Sequence, residues 1–268
     1  MHALFPSGSE NPLSIFSDPI AKERNPPMSK EQNERSAKER CYLREAFFAF
    51  FFVAVVEWIW PNATPFTFWG FWKTSGTTWD WIYAAWPIFA WGAGVTAWSV
   101  FRTYNSREDN RHAERVIAGG FLISLWAGVM EEICFRWLIF LNAIIGALIV
   151  NFLFFGFLGF GITEFLTVHI VAPIADFFTF GALHQYLGNP EYWTVAAGII
   201  SANAFFRDGH KYQGLLGWVN SWFLGMFFFY MMFTYGLPAA ILVHFLYDLL
   251  IFSVVYIDRV IERAQGRI

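Results

Sequence analysis

The feature that most constrains this chain is a small group of charged residues inside a long apolar segment. From Val116 to Val150 the only formally charged side chains are Glu131, Glu132 and Arg136. A charged side chain at the centre of a bilayer costs about 2.5–3.5 kcal/mol on insertion scales, so such residues usually face a partner or a wet cavity. Two adjacent acids and a base here therefore predict a polar site inside a membrane bundle.

The composition also indicates a membrane protein. Of 268 residues, 56% are hydrophobic and only 15% are charged, whereas soluble domains carry roughly 25% charged residues. Several apolar segments approach the ~20 residues that a helix needs to cross a bilayer. The predicted fold class is all-α, a polytopic transmembrane helix bundle. Nothing resembles a basic stripe for nucleic acid, and Cys41 and Cys134 do not suggest a disulfide framework.

The apolar segments predict about eight spans and three regions of the chain. The regions are a polar cytoplasmic N-terminal arm at 1–44, a membrane-embedded part at 45–257 and a cytoplasmic C-terminal tail at 258–268. The spans are expected near 45–60, 78–101, 116–136, 137–160, 164–187, 192–207, 214–233 and 237–257.

Basic residues concentrate in the N-terminal arm, in the loop after the second expected span and in the C-terminal tail. The loop carries Arg102, Arg107, Arg111 and Arg115, and the tail carries Arg259, Arg263 and Arg267. Because cytoplasmic loops are enriched in Lys and Arg, all three regions are expected on the cytoplasmic side. Both termini are then cytoplasmic, and the number of crossings is even.

The two glutamates are expected to do different work. Glu132 and Arg136 are four positions apart, so on a helix they share a face and can pair. Glu131 points about 100° away and has different neighbours. Two carboxylates in different environments can have their pKa values pushed apart, which allows one to act as a base. The alternative is a buried ion pair that only fixes helix packing.

Two histidines stand in later apolar segments. His210 ends the stretch that begins at Phe206 and lies at an expected membrane boundary, where an imidazole can relay a proton. His244 and Asp248 are four apart, so that the carboxylate can orient the imidazole. The alternatives are a structural hydrogen bond for His210 and a self-satisfied polar pair, or part of a metal site, for His244 and Asp248.

Together, these motifs resemble a known family. EExxxR at 131–136, FxxxH at 206–210 and HxxxD at 244–248, each on its own apolar segment, are similar to the motifs of the CPBP family of glutamic-type intramembrane proteases. That family includes CAAX prenyl endopeptidases and bacteriocin-processing, Abi-like relatives. The resemblance covers about 116–257, and the stretch 201–225 looks especially like bacterial members. It implies a polar catalytic cavity inside the bundle and a bacterial cytoplasmic membrane.

The resemblance also implies roles for single residues. Glu131 matches the glutamate that activates water, and His210 matches the histidine that assists it. Glu132 matches the partner acid, paired with Arg136. His244 and Asp248 match the pair that stabilises the oxyanion or holds its environment, and Phe206 matches a packing residue beside the site.

Three departures from the family pattern qualify these roles. Many members have Asn at the position of Asp248; an ionised Asp disfavours an oxyanion, so Asp248 is expected to orient His244. A second FxxxH runs from Phe180 to His184. We favour His210, on its following Tyr-Gln-Gly and its spacing to His244, and place His184 in the substrate cavity. The interval from 136 to 206 is also longer than usual, as if a helical segment were inserted.

The sequence therefore predicts an endopeptidase that hydrolyses a peptide bond in a membrane-anchored protein or peptide, such as a CAAX-type tail or a leader. Its partners are that substrate and the lipid bilayer, with no nucleic acid. No cofactor is needed for glutamate-activated water, although Glu131, His210 and His244 are the ligands if a divalent metal is present. The competing interpretations are a non-catalytic immunity or scaffold protein of the same fold, and a proton-coupled transporter.

Overall fold

Helices form all the regular structure in the described part of the chain. The structure is a computed structural model, and it describes residues 30–103 and 113–265. The expected arm before residue 30 and the Arg-rich loop at 104–112 lie outside the described residues. The chain divides into two units, Met1–Glu45 and Ala46–Ile268. The first unit contains the start of the first helix, and the second contains the end of that helix and all later elements.

The helices are, in chain order, α1 (Lys30–Ile59), α2 (Thr78–Ala84), α3 (Trp86–Thr103), α4 (Ala113–Glu131), α5 (Phe140–Leu153), α6 (Ile162–Leu166), α7 (Ala172–Phe178), α8 (His184–Leu187), α9 (Trp193–Gly209), α10 (Gly214–Tyr235) and α11 (Leu237–Ala264). Two π-helical segments, Glu132–Ile139 and Thr167–Val171, join α4 to α5 and α6 to α7. Short 3₁₀ turns lie at Gly70–Trp72, Gly156–Leu158, Pro190–Tyr192 and Lys211–Gln213.

Within the described ranges, three helical stretches are long and apolar enough to cross a membrane. They are Gly120–Leu153, Gly214–Tyr235 and Leu237–Glu262. The first of them corrects the sequence prediction, which ended one span at 136 and began another at 137. Helical structure instead continues from α4 through the π segment into α5. No Gly or Pro stands between Gly128 and Gly146 to end the helix.

Two other expected spans are divided. The segment 78–101 is split at Ala85 into α2 and α3, and Pro87 stands in the first turn of α3, where its fixed φ favours a helix start. The segment 164–187 is broken after α7, where Phe180 and Gly181 have φ values of 54° and 73°. At the other end, α11 continues to Ala264 and includes the first residues of the expected tail.

The helix α11 packs along α4, α3 and α10, while α9 packs against α5 and α10. Glycines allow close approach between α4 and α11. A Cβ on Gly128 would lie 3.0 Å from the Phe245 nitrogen, and one on Gly120 would lie 3.0 Å from the Phe252 ring. These two contacts run in opposite directions along the two helices, so α4 and α11 are antiparallel. Such small residues at helix crossings are typical of membrane bundles.

An aromatic connection between α1 and α2 closes the end of the bundle at which α10 passes into α11. Phe68 and Phe71 are buried there. The Trp137 indole donates to the Phe68 carbonyl at 2.7 Å, and the Ser75 amide donates to the Tyr235 carbonyl at 3.1 Å. The two buried phenylalanines of this connection therefore belong to the core.

Candidate functional site

The buried half of the candidate site is built on the π segment that follows α4. Glu132 begins this segment and Arg136 lies four residues later. Arg136 Nη1 is 3.2 Å from Glu132 Oε1, and both side chains are fully buried. The pair expected from the spacing is therefore present. Short π segments inside α-helices are frequent at functional sites.

His244 is the second partner of Glu132, and sequence reasoning did not find this contact. His244 Nδ1 lies 2.7 Å from Glu132 Oε1. Because a carboxylate oxygen accepts, Nδ1 of His244 carries a hydrogen and donates it to Glu132. The other ring nitrogen, Nε2, then points away from Glu132. Asp248 Oδ2 lies 3.7 Å from Nε2, which is too long for a direct hydrogen bond. Glu132, rather than Asp248, therefore orients the imidazole most strongly.

Aromatic rings surround the buried charges. The Arg136 guanidinium carbon lies 4.0 Å from the centroid of the Phe206 ring and 5.2 Å from that of Phe228. Phe228 also stacks on His244, with centroids 4.5 Å apart. Among the described residues the guanidinium nitrogens have no hydrogen-bond partner. Glu132 and the faces of these rings therefore supply the compensating negative charge.

The open half of the site consists of Glu131, His210 and Asp248. Their side chains are 30%, 19% and 26% exposed, whereas Glu132 and Arg136 are fully enclosed. His210 Nε2 lies 3.9 Å from Glu131 Oε2. This separation is too long for a direct hydrogen bond, but it is compatible with one water molecule that bridges the two groups.

The tautomer of His210 follows from its neighbour on α9. Nδ1 lies 2.8 Å from the carbonyl oxygen of Phe206. Because a carbonyl oxygen only accepts, Nδ1 carries a hydrogen and donates it. The other nitrogen, Nε2, is the one on the side of Glu131, and it accepts a proton when the ring is neutral.

A polar cluster fixes the turn that carries His210. Asp208 accepts hydrogen bonds from Lys211 Nζ, Trp218 Nε1 and Arg207 Nε, each at 2.9 Å. These hydrogen bonds, that from Lys211 first and then that from Trp218, hold the pKa of Asp208 well below its usual range. Trp218 belongs to α10, so the cluster ties the end of α9 to the next helix. Arg207 and Asp208 lie within the FxxxH motif at 206–210, but no local sequence signal pointed to Trp218.

His184, which was expected to line the substrate cavity, lies elsewhere. Its Nδ1 contacts Asp176 Oδ2 at 2.7 Å, and its side chain is 71% exposed. Both residues line a separate cavity beside Trp193, at the start of α9. His210 follows the other end of α9, about 25 Å away at 1.5 Å per residue. The structure thus brings the histidine of 206–210, and not that of 180–184, to the glutamates.

The alternative metal site does not fit the donors. The described residues contain no group of three or more His, Cys, Asp or Glu side chains arranged to hold a metal ion. Glu131, His210 and His244 are therefore not gathered as a ligand set, and Nδ1 of His244 is already bonded to Glu132.

Two carboxylates that are adjacent in sequence thus have opposite environments. Glu132 is enclosed, ion-paired with a guanidinium and hydrogen-bonded to an imidazole, while Glu131 is partly exposed and turns Oε2 towards a second imidazole. Such an arrangement suits acid–base chemistry at Glu131 and a supporting role for Glu132.

The chain matches no protein-family model, and no curated protein or solved structure matches it.

Proposed function

We propose that the chain is an intramembrane endopeptidase in which Glu131 is the general base that activates water. One observation carries this proposal: Glu131 Oε2 and His210 Nε2 face each other at 3.9 Å, while Glu132 is ion-paired with Arg136 and hydrogen-bonded to His244. A base must lie within reach of the proton it abstracts, directly or through one water. The motif resemblance to the CPBP proteases supports the same assignment.

In this mechanism Glu131 takes a proton from water as the water oxygen bonds to the scissile carbonyl carbon. The carbonyl oxygen becomes an oxyanion. His210, with Nε2 towards Glu131, helps to carry the proton to the leaving nitrogen as the C–N bond breaks. The products are a carboxylic acid and an amine, so the atoms of one water molecule are divided between them.

His244 is the proposed electrostatic partner of the oxyanion. Glu132 accepts the hydrogen bond from Nδ1 at 2.7 Å and fixes the ring, so that Nε2 points to the side of Asp248, in the open half. When Nε2 also carries a hydrogen, it donates that hydrogen to the oxyanion. A preorganised donor at the position where negative charge develops is often the largest single contribution to catalysis.

The proposed substrate is a membrane-anchored protein or peptide, and the proposed setting is a multi-pass bundle in a bacterial cytoplasmic membrane with both termini inside. The polar groups would form the wall of a catalytic cavity between the helices. No cofactor is required, because the carboxylate of Glu131 replaces a metal ion as the activator of water.

Proteolysis in liposomes tests the proposal. The substrates are a fluorogenic farnesylated CAAX peptide and a lipid-anchored leader peptide, each offered to wild type, Glu131→Gln and His210→Ala. Each substitution is expected to lower the cleavage rate about 10²–10⁴-fold, as for loss of a general base or acid. The matched controls Glu191→Gln and His184→Ala, which remove an exposed carboxylate and the competing histidine, are expected to cleave like wild type.

The proposal fails if Glu131→Gln and His210→Ala cleave as well as wild type. Proton-coupled uptake abolished by the same substitutions would instead support a transporter. Cleavage of neither substrate by wild type, together with binding of an uncleaved membrane protein, would support a scaffold.

A further inference from the structure

A cavity lies outside the candidate active site. It has a volume of about 400 Å³ and is bounded by the π segment Thr167–Val171, α7, α8 and the start of α9. Ligand pockets in proteins are typically about 300–1,000 Å³. Because Trp193 lines this cavity and His210 follows the far end of α9, the two sites are about 25 Å apart along the helix. A ligand here does not touch the acid–base groups.

The cavity contains an ordered polar pair. His184 Nδ1 lies 2.7 Å from Asp176 Oδ2. The imidazole ring rests against Gly188, where any Cβ would collide with ring atoms Nδ1 and Cε1. The carboxylate and the missing side chain at Gly188 therefore fix the ring at the cavity wall. The ring itself is largely exposed, so one face of the pair is accessible.

The charge of this pair is not balanced by its surroundings. Of the described residues that line the cavity, Asp176 alone is formally charged, and no Lys or Arg is among them. Its side chain is 17% exposed, and Oδ1 is buried without a hydrogen-bond partner in the described part of the chain. A buried carboxylate of this kind favours a cation or a hydrogen-bond donor beside it.

The remaining wall is apolar and continues onto an apolar surface. Pro173, Phe177, Pro190 and Trp193 line the cavity. The Phe177 residue is 76% exposed, and Phe165 and Ile174 on the same helical stretch are 58% and 54% exposed. Exposed apolar side chains of this kind suit contact with lipid tails. The cavity is therefore continuous with a surface that suits the apolar part of a lipid.

We propose that this cavity is a lipid site selective for a primary ammonium headgroup. The ammonium lies beside Asp176 and His184, donating its hydrogens to the carboxylate and the imidazole, while the apolar part of the lipid lies against Phe177 and Trp193. A primary ammonium offers both the positive charge and the N–H donors that the pair lacks. The proposal does not depend on proteolysis at Glu131.

Native mass spectrometry of the full chain in detergent tests the proposal. The probes are dioleoyl phosphatidylethanolamine, phosphatidylcholine, which keeps the charge but has no N–H, and phosphatidylglycerol, which lacks the cation. Wild type is expected to retain phosphatidylethanolamine roughly tenfold more strongly than either of the others, a ratio typical of one charge-assisted hydrogen bond. Asp176→Asn is expected to abolish this preference, whereas Glu191→Gln, an exposed carboxylate nearby, keeps it.

A second variant and a second probe protect the test from a folding artefact. His184→Phe fills the same space without hydrogen bonding and is expected to weaken the preference while the helical circular dichroism stays unchanged. Dodecylammonium, an alkylamine without a phosphate, distinguishes binding of a phospholipid headgroup from binding of any amphiphilic amine. Equal retention of all three lipids, preference unchanged in Asp176→Asn, or binding of dodecylammonium without phosphatidylethanolamine would each overturn the lipid site.

Discussion

At the scale of single residues, Glu131 and Glu132 differ in what surrounds them. The Glu132 side chain is fully buried and contacts Arg136 at 3.2 Å and His244 at 2.7 Å. Glu131 is partly exposed and stands 3.9 Å from His210. Loss of the Glu132 charge leaves Arg136 buried without a counter-ion, whereas loss of the charge of the partly exposed Glu131 leaves no buried charge unpaired. Stability and activity should therefore respond to different glutamates.

The first prediction separates these two effects. We expect Glu132→Gln to lower the free energy of unfolding by about 3–5 kcal/mol, because Arg136 then remains buried without its counter-ion. Glu131→Gln should change it by about 1 kcal/mol or less. The measurement is equilibrium unfolding in mixed micelles, followed by circular dichroism. An equal loss in both variants would show that Glu131 is also a structural residue.

The two contacts of Glu132 differ in how far they can be predicted from the sequence, because their separations along the chain differ. The Glu132–Arg136 pair follows from helical spacing, since residues four apart share a face. Glu132 and His244 are 112 positions apart, and only the packing of α11 against α4 brings them together. The sequence motifs contain both residues, but the spacing assigned His244 to Asp248 as its main partner.

At the scale of helices, Gly225 lets α10 lie close to α9 beside the site. A Cβ at Gly225 would collide with Asn203 Oδ1 and would lie 3.0 Å from Phe206 Cδ1. Asn203 is fully buried and donates to the Trp222 carbonyl at 3.0 Å, so it has little room to move. The position of Phe206, and with it the turn to His210, thus depends on a missing side chain on the neighbouring helix.

The second prediction compares two helical glycines. Gly225→Ala should cost about 1–3 kcal/mol of unfolding free energy through overpacking and reduce the rate of the proposed cleavage. Gly146→Ala is the control, because a Cβ there meets nothing within 4 Å. It should gain up to about 1 kcal/mol from helix propensity. Thermal unfolding and cleavage by both variants check this, and full activity in Gly225→Ala would contradict it.

The third prediction concerns the Asp208 cluster and pH. The pKa of Asp208 is lowered by hydrogen bonds from Lys211, Trp218 and Arg207. A depressed pKa means that the stabilising contribution is complete above the ordinary aspartate pKa and is lost only as pH falls through the lower, folded-state value. We expect the turn after α9 to stay intact from pH 7 to about pH 4, the ordinary value.

Fluorine NMR of 5-fluorotryptophan protein measures this, with the Trp218 resonance assigned by Trp218→Phe. The resonance should remain in place over that range in wild type. In Asp208→Asn it should be displaced already at pH 7, since the amide keeps no negative charge for Lys211. A wild-type resonance that moves with a midpoint near pH 4 would mean that Asp208 titrates normally.

At the scale of the whole molecule, the helices and the basic residues together bear on the membrane topology. The basic residues predict both termini on the cytoplasmic side, which requires an even number of crossings. The continuous helix through Gly120–Leu153 replaces two expected spans. The number of crossings therefore depends on which of the shorter helices also cross the bilayer.

The fourth prediction concerns the side of the membrane on which the two ends of the chain lie. In spheroplasts, native Cys41 in a Cys134→Ser background and an introduced Gln265→Cys should react with an impermeant maleimide only after permeabilisation. Thr74→Cys, in the connection after α1 and in a chain without Cys41 and Cys134, should react without it. Labels on opposite sides for positions 41 and 265 would establish an odd number of crossings.

The sequence alone predicted an all-helical chain, apolar stretches long enough to cross a membrane, and the pairing of Glu132 with Arg136. Apolar segments of membrane length and the four-residue spacing of Glu132 and Arg136 depend only on the local chain. The three motifs are also visible in the sequence, but the sequence did not show that the helix continues through the first of them.

The packing of helices against one another decides which distant groups meet. It placed His210 rather than His184 beside Glu131, joined His244 to Glu132, and put His184 in a cavity of its own. The reason is physical: spacing along a helix sets the direction of a side chain, whereas its neighbours on other helices depend on how close the backbones approach. Here glycines on α4 and α10 set that approach.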